Sequence, residues 1–263
     1  AALLAETGFE SFVTEESGMA AYAPKSAYNK ESMAEVIKGF PLEGFSITYE
    51  TEEIEGEDWN AEWEKNYFQP IVLGEDCVIH STFHTDVPKA RYDILIDPKM
   101  AFGTGYHQTT CHMLRAILAS DMTGKSVLDM GCGTAVLAIL AAKMKASKVY
   151  GIDIDAIAAI SAYDNARINR VGKIIETCCG DASLLQRNTY DVILANINRN
   201  ILLQDIPTYA LSLHKGGLLF VSGFYETDIP AIVEVAEKSG LEYTGQDSID
   251  KWCSISFRKP ASL

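Results

Sequence analysis

Five residues in the middle of the 263-residue chain have types and spacing suited to holding a small cationic ligand. In Ser126-Val127-Leu128-Asp129-Met130-Gly131-Cys132-Gly133-Thr134-Ala135 an apolar run meets a glycine turn. Gly131 and Gly133 let the backbone bend sharply and come close to a ligand. A dinucleotide fingerprint would need a third glycine at 136, which is Val136. Asp129, two residues ahead of the first glycine, opposes a pyrophosphate and suits a ligand carrying an amino group or another cation. Asp153 closes the run Val149-Tyr150-Gly151-Ile152, where a carboxylate can accept both hydroxyls of a ribose. Asp181, in Gly180-Asp181-Ala182, is placed to meet an adenine amino group. Each Asp or glycine alone is a common cap or turn residue. As an ordered set, Asp129, Gly131, Gly133, Asp153 and Asp181 describe a pocket for S-adenosylmethionine. Its rivals are a nicotinamide site and a structural coincidence.

These residues sit at the joints of a repeating strand, loop and helix pattern. Strands are expected at 92–96, 126–130, 148–153, 174–178, 190–196 and 217–222. Helices are expected at 107–120, 134–146, 156–169, 199–212 and 228–239, with two closing strands at 242–249 and 252–258. Internal strands such as Val192-Ile193-Leu194-Ala195 are continuous apolar runs, as in a parallel sheet covered on both faces. The alternation implies a Rossmann-like, doubly wound α/β sheet, which binds ligands beyond the carboxyl ends of its strands near the switch point.

Ahead of this lies a different pattern. Ala1–Glu6 reads as the end of a helix. Strands at 9–14 and 19–23 flank the turn Glu16-Ser17-Gly18, Asn29 caps a helix over 30–38 that ends at Gly39, and 45–54 alternates as a strand. The order α-β-β-α-β matches a ferredoxin-like α+β sandwich lacking its first strand. Residues 1–55 are therefore expected to form a partial N-terminal domain, 56–68 a linker helix and 69–263 the α/β domain that carries the candidate ligand site. Trp59, Trp63 and Tyr67 recur every four residues on the linker and suit a packing face.

The net charge is −14, which disfavours general nucleic-acid binding. Residues 1–66 carry 15 acidic and 4 basic side chains, so most of that charge lies in the first quarter. It reads either as a solvated surface or as a docking module for a basic partner. Six cysteines without a CxxC pair suit a reducing compartment and give no zinc framework. With no long apolar run and no signal pattern, a cytoplasmic chain is expected, with no membrane partner. His80 and His84 are four apart, but Val78–Phe83 reads as strand, where that spacing does not make a metal pair. Cys111-His112 beside His107 lacks a fourth ligand, so no metal is expected. Cys178-Cys179 is expected to pack as small apolar side chains, and Cys132 to matter for its small size.

One further loop is highly specific: Asp97-Pro98-Lys99-Met100-Ala101-Phe102-Gly103-Thr104-Gly105-Tyr106-His107-Gln108-Thr109-Thr110. Together with Gly131-Cys132-Gly133, Ile152-Asp153 and Ala195-Asn196-Ile197, it resembles the PrmA family, which methylates protein eleven of the large ribosomal subunit. The resemblance spans nearly the whole chain, including Asp58-Trp59, Trp63, Phe68 and Pro70 of the linker. It implies a class I S-adenosylmethionine-dependent methyltransferase fold, with a front domain that recognises a basic ribosomal protein. It implies cofactor contacts at Thr110, Gly131, Asp153 and Asn196. A loop carrying Phe102, Gly103, Thr104 and His107 would cover the cofactor's methionine end. Ala135 stands where many such enzymes have a third glycine; one extra carbon is expected to matter little.

The expected acceptor is an aliphatic amine, of lysine or of an N-terminus. Asn196-Ile197-Asn198-Arg199 is not the Asn-Pro-Pro-aromatic motif of adenine and glutamine methylators, and no aromatic stands ready to stack a planar amide. Asn196, at the end of the fourth strand, is the catalytic candidate. The alternatives are a methyltransferase for another protein or a small molecule, and a non-catalytic ribosome-assembly binder of the same fold. A monomer is expected.

Overall fold

The computed structural model describes residues 4, 7, 9, 11–15, 18–25, 28–39, 47–51, 70–97, 108–185 and 188–261. The chain divides into two compact units, Ala1–Glu57 and Asp58–Leu263. In the first, Ser11–Glu15 (β1) and Gly18–Tyr22 (β2) form an antiparallel hairpin. Lys30–Lys38 (α1) starts where the sequence places it because Asn29 Oδ1 accepts the N–H groups of Glu31 and Ser32 at 2.9 and 3.0 Å. The expected strand at 45–54 is not found in its described part. Residues 47–51 lie outside any strand, and Ile47 and Tyr49 are each 43% exposed. Alternation makes a strand only where a neighbour takes up the backbone groups. The opening helix, apart from Leu4, and the linker helix with Trp59, Trp63 and Tyr67 lie outside the described residues.

Among its described residues, the second unit holds two sheets. Ile71–Leu73 (β3), Cys77–His80 (β4) and Tyr92–Leu95 (β5) form a small one in that order, with β4 and β5 parallel. The repeating pattern placed β5 in the main sheet; it pairs with β4 instead, because a local alternation does not specify its partner. The strand expected to run to Phe83 ends at His80. A turn intervenes, in which His84 N–H donates to Ser81 O at 3.2 Å and Ser81 N–H donates to His84 Nδ1 at 3.0 Å.

The main unit then runs Gln108–Leu118 (α2), Ser126–Met130 (β6), Val136–Lys143 (α3), Lys148–Asp153 (β7), Ala156–Ile168 (α4), Ile175–Cys179 (β8), Tyr190–Asn196 (β9), Arg199–Leu211 (α5), Leu213–Tyr225 (β10), Ile229–Lys238 (α6), Glu242–Ile249 (β11) and Trp252–Arg258 (β12). The seven strands are ordered β11-β12-β10-β9-β6-β7-β8. Neighbours from β10 to β8 are parallel, and β12 is antiparallel to both of its neighbours. The chain steps outward from β6 to β8, then returns to the other side of β6 as β9. The switch point is therefore between β6 and β9, where Met130 pairs with Ala195.

Side chains alternate between two cores. Val127, Val192, Leu194 and Phe220 pack with Met113 and Leu114 of α2, Ile139 of α3 and Ala162 of α4. Leu128, Ile193, Leu219, Val221 and Phe257 pack on the opposite face with Leu202 and Ile206 of α5 and Ile232 of α6. Each such buried aliphatic contributes roughly 1.5–3 kcal/mol, so both faces anchor the switch point.

Candidate active site

The glycine turn is built from left-handed backbone. Gly131 has φ 69°, Gly133 φ 51° and Ala135 φ 64°. The N–H groups of Gly131 and Cys132 both donate to Ile152 O, at 2.8 and 3.1 Å, fastening the turn to β7. Ala135 is fully buried and holds a conformation costing a non-glycine residue about 1–2 kcal/mol. Its departure from glycine therefore bears on the backbone and is more than one extra carbon. Cys132 is buried, and a Cβ on Gly151 would lie 3.1 Å from its Sγ.

The carboxylates expected to bind a ligand also hold this turn. Asp129 is buried; its Oδ2 accepts the Ala138 N–H in the first turn of α3 at 3.1 Å, while its Oδ1 has no partner among the described residues. Burial pushes its pKa up to about 7; the like charge of Asp153 adds to this and the Ala138 N–H opposes it. Asp153 Oδ2 accepts the Gly133 N–H at 2.8 Å and its Oδ1 accepts the Asp155 N–H at 3.0 Å. A carboxylate has about four acceptor sites, so Asp153 retains capacity for a ligand. Asp181 is exposed beyond β8, and its Oδ1 accepts the Ser183 N–H at 2.9 Å. Hydrogen bonds from Ser183 hold it below the usual carboxylate range.

Asn196 ends β9 opposite Ser222 of β10. Two residues after Leu194, it falls on the sheet face packed by α2. It is half-buried, and its side chain has no hydrogen-bond partner among the described residues. The backbone after it is gripped from two sides. Ile197 N–H donates to Ser222 O at 3.1 Å. A Cβ on Gly131 would fall 2.3 Å from Ile197 Cγ2, and one on Gly223 (φ 100°) 2.3 Å from Ile197 O. The switch point thus brings together Asp129, Gly131, Gly133, Asp153 and Asn196, with Asp181 at the end of β8. Thr110 is buried in the first turn of α2. Phe102, Gly103, Thr104 and His107 lie outside the described residues.

Sequence reasoning missed several contributors. Gly223 could have been found as a glycine inside an apolar strand, the mark of a bulge; the register shifts there between Ser222 and Phe224. Ile154, directly after Asp153, is 80% exposed and presents an apolar wall at the strand ends. Asn165 of α4 and Asn169, its C-cap, are buried. Asn165 Oδ1 accepts the Asp97 N–H at 2.8 Å and its Nδ2 donates to Thr134 O at 3.2 Å, so it joins the end of the β5 segment to the glycine turn. Asn169 likewise accepts the Leu95 N–H at 3.0 Å. The available signal was a pair of asparagines four apart on an alanine-rich helix.

Cys178 and Cys179 are exposed rather than packed, since they close β8, the edge strand of the sheet. His80 Nε2 lies 3.1 Å from Asp93 Oδ1. Among the described residues, no three His, Cys, Asp or Glu side chains gather as a metal site, and no helix is long and apolar enough to cross a membrane.

Residues 4–260 match the family described as ribosomal protein L11 methyltransferase (PrmA). Proteins named ribosomal protein L11 methyltransferase from Bacteroides fragilis and Phocaeicola vulgatus are 51% and 49% identical, over 98% and 97% of this chain and 92% and 91% of their own lengths. A solved ribosomal protein L11 methylase from Lactobacillus delbrueckii subsp. bulgaricus superposes with a TM-score of 0.66 at 27% identity, covering 73% of this chain and all of its own. An O-methyltransferase family protein from Burkholderia thailandensis, 13% identical with a TM-score of 0.50 over 57% of this chain and 56% of its own, shares the fold alone. With a class I methyltransferase sheet and a family match along nearly its whole length, the chain belongs to the ribosomal protein L11 methyltransferase (PrmA) family.

Proposed function

We propose that the chain transfers methyl groups from S-adenosylmethionine to amines of ribosomal protein L11, the substrate named for its relatives. Lysine side chains and the N-terminus are the acceptors in this reading. The observation that carries it is the β6/β9 switch point, where a buried carboxylate oxygen with no hydrogen-bond partner among the described residues meets a left-handed glycine turn. That donor set suits S-adenosylmethionine. The unpartnered Asp129 oxygen answers a cationic end, and Gly131 and Gly133 admit close approach. Asp153 keeps acceptor capacity for ribose hydroxyls, Ile154 offers an apolar face to the adenine, and Asp181 an acceptor to its amino group. Phe102, Gly103, Thr104, His107 and Thr110 are assigned to the methionine end. When bound, the donor supplies an electrophilic methyl group on a positively charged sulfur.

Asn196 supplies the acceptor's geometry. Its side-chain carbonyl accepts an N–H of the incoming amine and aims the lone pair along the line of transfer. An amide suits this better than a carboxylate, which would stabilise the ammonium form. A lysine with a pKa of about 10.4 needs roughly 4–5 kcal/mol to lose its proton at pH 7. A neighbouring positive charge reduces that cost, so water can take the proton. Position and orientation then supply much of the rate. Residues 1–55 would dock the basic substrate, 56–68 link the units and 69–263 carry the chemistry, in the cytoplasm where ribosomal proteins are made.

The test is mass spectrometry of unmethylated ribosomal protein L11 incubated with the chain and S-adenosylmethionine. Methyl increments mapping to lysine or N-terminal amines are expected. Cofactor binding without any increment would overturn the proposal.

A further inference from the structure

α2 begins straight after His107 and is fastened along one face. Gln108, His112 and Arg115 are four and three residues apart, so they share that face. All three reach the β11–β12 hairpin. Gln108 Nε2 donates to Asp250 Oδ2 at 3.3 Å, His112 Nδ1 lies 2.9 Å from Asp247 Oδ2, and Arg115 Nη1 is 3.9 Å from that same oxygen. The outer two contacts are solvated and contribute little. The middle one differs: the His112 side chain has no exposed surface, and its Nε2 lies 3.2 Å from the carbonyl oxygen of Trp252. The buried ring is therefore held at both nitrogens, by a carboxylate on one side and a backbone carbonyl on the other. The hairpin is a firm anchor. Its tip is a two-residue left-handed turn, Asp250 at φ 51° and Lys251 at φ 72°, and β12 pairs on to β10.

We propose that His112 is a positioning residue for methyl transfer. Its ring, gripped between Asp247 and the Trp252 carbonyl, fixes the rotation of α2 and thereby sets Thr110. The proposal rests on the reading that Thr110 serves the methyl donor. Thr110 precedes His112 by two residues, about 200° around the helix. Any turn of α2 that released the ring would therefore swing Thr110 as well. The rival is that the apolar residues Met113, Leu114 and Ile117 hold α2 by themselves.

Asp247 is half-exposed, so its truncation opens no core. Three variants decide the matter: Asp247→Ala, Asp247→Asn, which keeps an acceptor oxygen, and His112→Leu, which keeps the apolar bulk. Without ligand, amide hydrogen exchange at Thr110 should be at least tenfold faster in Asp247→Ala and His112→Leu, and within threefold of wild type in Asp247→Asn. Affinity for S-adenosylhomocysteine, by calorimetry, should fall at least tenfold in the first two and within threefold in the third. Wild-type exchange and affinity in Asp247→Ala overturn the proposal. If the wild type binds no S-adenosylhomocysteine, the donor reading fails, while the exchange measurements still judge the clamp.

Discussion

Asn196 and Asp129 are the two residues whose chemistry is least explained by folding alone. Among the described residues the Asn196 side chain has no hydrogen-bond partner, and the backbone after it is held through Ile197, whose N–H donates to Ser222 O and which packs against Gly131 and Gly223. Asn196→Ala should therefore fold normally and bind S-adenosylhomocysteine within roughly tenfold of wild type, yet lower turnover by 10²-fold or more, as expected for a lost orienting contact. Turnover near the wild-type value would remove Asn196 from the chemistry. Asp129 is kept at a cost. Its folded pKa of about 7 stands above the usual carboxylate value near 3.9. Stability from this group is thus fully present below about pH 4 and is lost as pH rises through about 7. Asp129→Asn should be more stable than wild type at pH 8, and the gap should shrink towards pH 4.5 in denaturant titrations. A gap that does not change with pH would show that the carboxylate is not the strained group. The same substitution should weaken donor binding, since the negative charge is what a cationic ligand meets.

Elements were legible where a local signal defines them. Asn29, Asp155 and Asn198 each cap the helix that follows by accepting its first free N–H groups, so α1, α4 and α5 start where the sequence puts them. The apolar runs of β6, β7 and β9 announce a parallel sheet, and the acids and glycines at their ends announce the crevice. What escaped depends on partners far away in sequence. β3 has three residues and no pattern to read, and β5 is defined only by lying beside β4. Asn165 is the clearest case: its bonds to Asp97 and Thr134 span 68 and 31 residues, and no local rule points to them. They fasten α4 to Asp97, just past β5, and to the glycine turn. Asn165→Ala leaves the part-buried Asp97 N–H and the buried Thr134 carbonyl without this partner, which should cost about 2–3 kcal/mol. Chemical denaturation should show that loss together with weaker donor binding. A variant losing stability but binding the donor like wild type would confine Asn165 to a structural role.

At the scale of the whole chain, charge and chemistry are separated. The first 66 residues carry 15 of the 36 acidic side chains but only 4 of the 22 basic ones, so the remainder is close to neutral. In the proposed reading, a near-neutral remainder gives a small cofactor little long-range attraction, so short contacts would hold the donor. A basic protein approaching the front quarter meets a field that acts over a Debye length, about 10 Å at 0.1 M salt. Salt should therefore discriminate between the two substrates. Raising ionic strength from 50 to 300 mM should increase KM for ribosomal protein L11 several-fold and move KM for S-adenosylmethionine by less than twofold. Replacing a cluster such as Glu52, Glu53 and Glu55 with glutamine should reproduce the high-salt KM at low salt and flatten the remaining salt response. If both KM values shift together, or if the glutamine variant keeps the full salt response, the acidic front serves solubility, and recognition of the ribosomal protein must lie in shape and apolar contact instead.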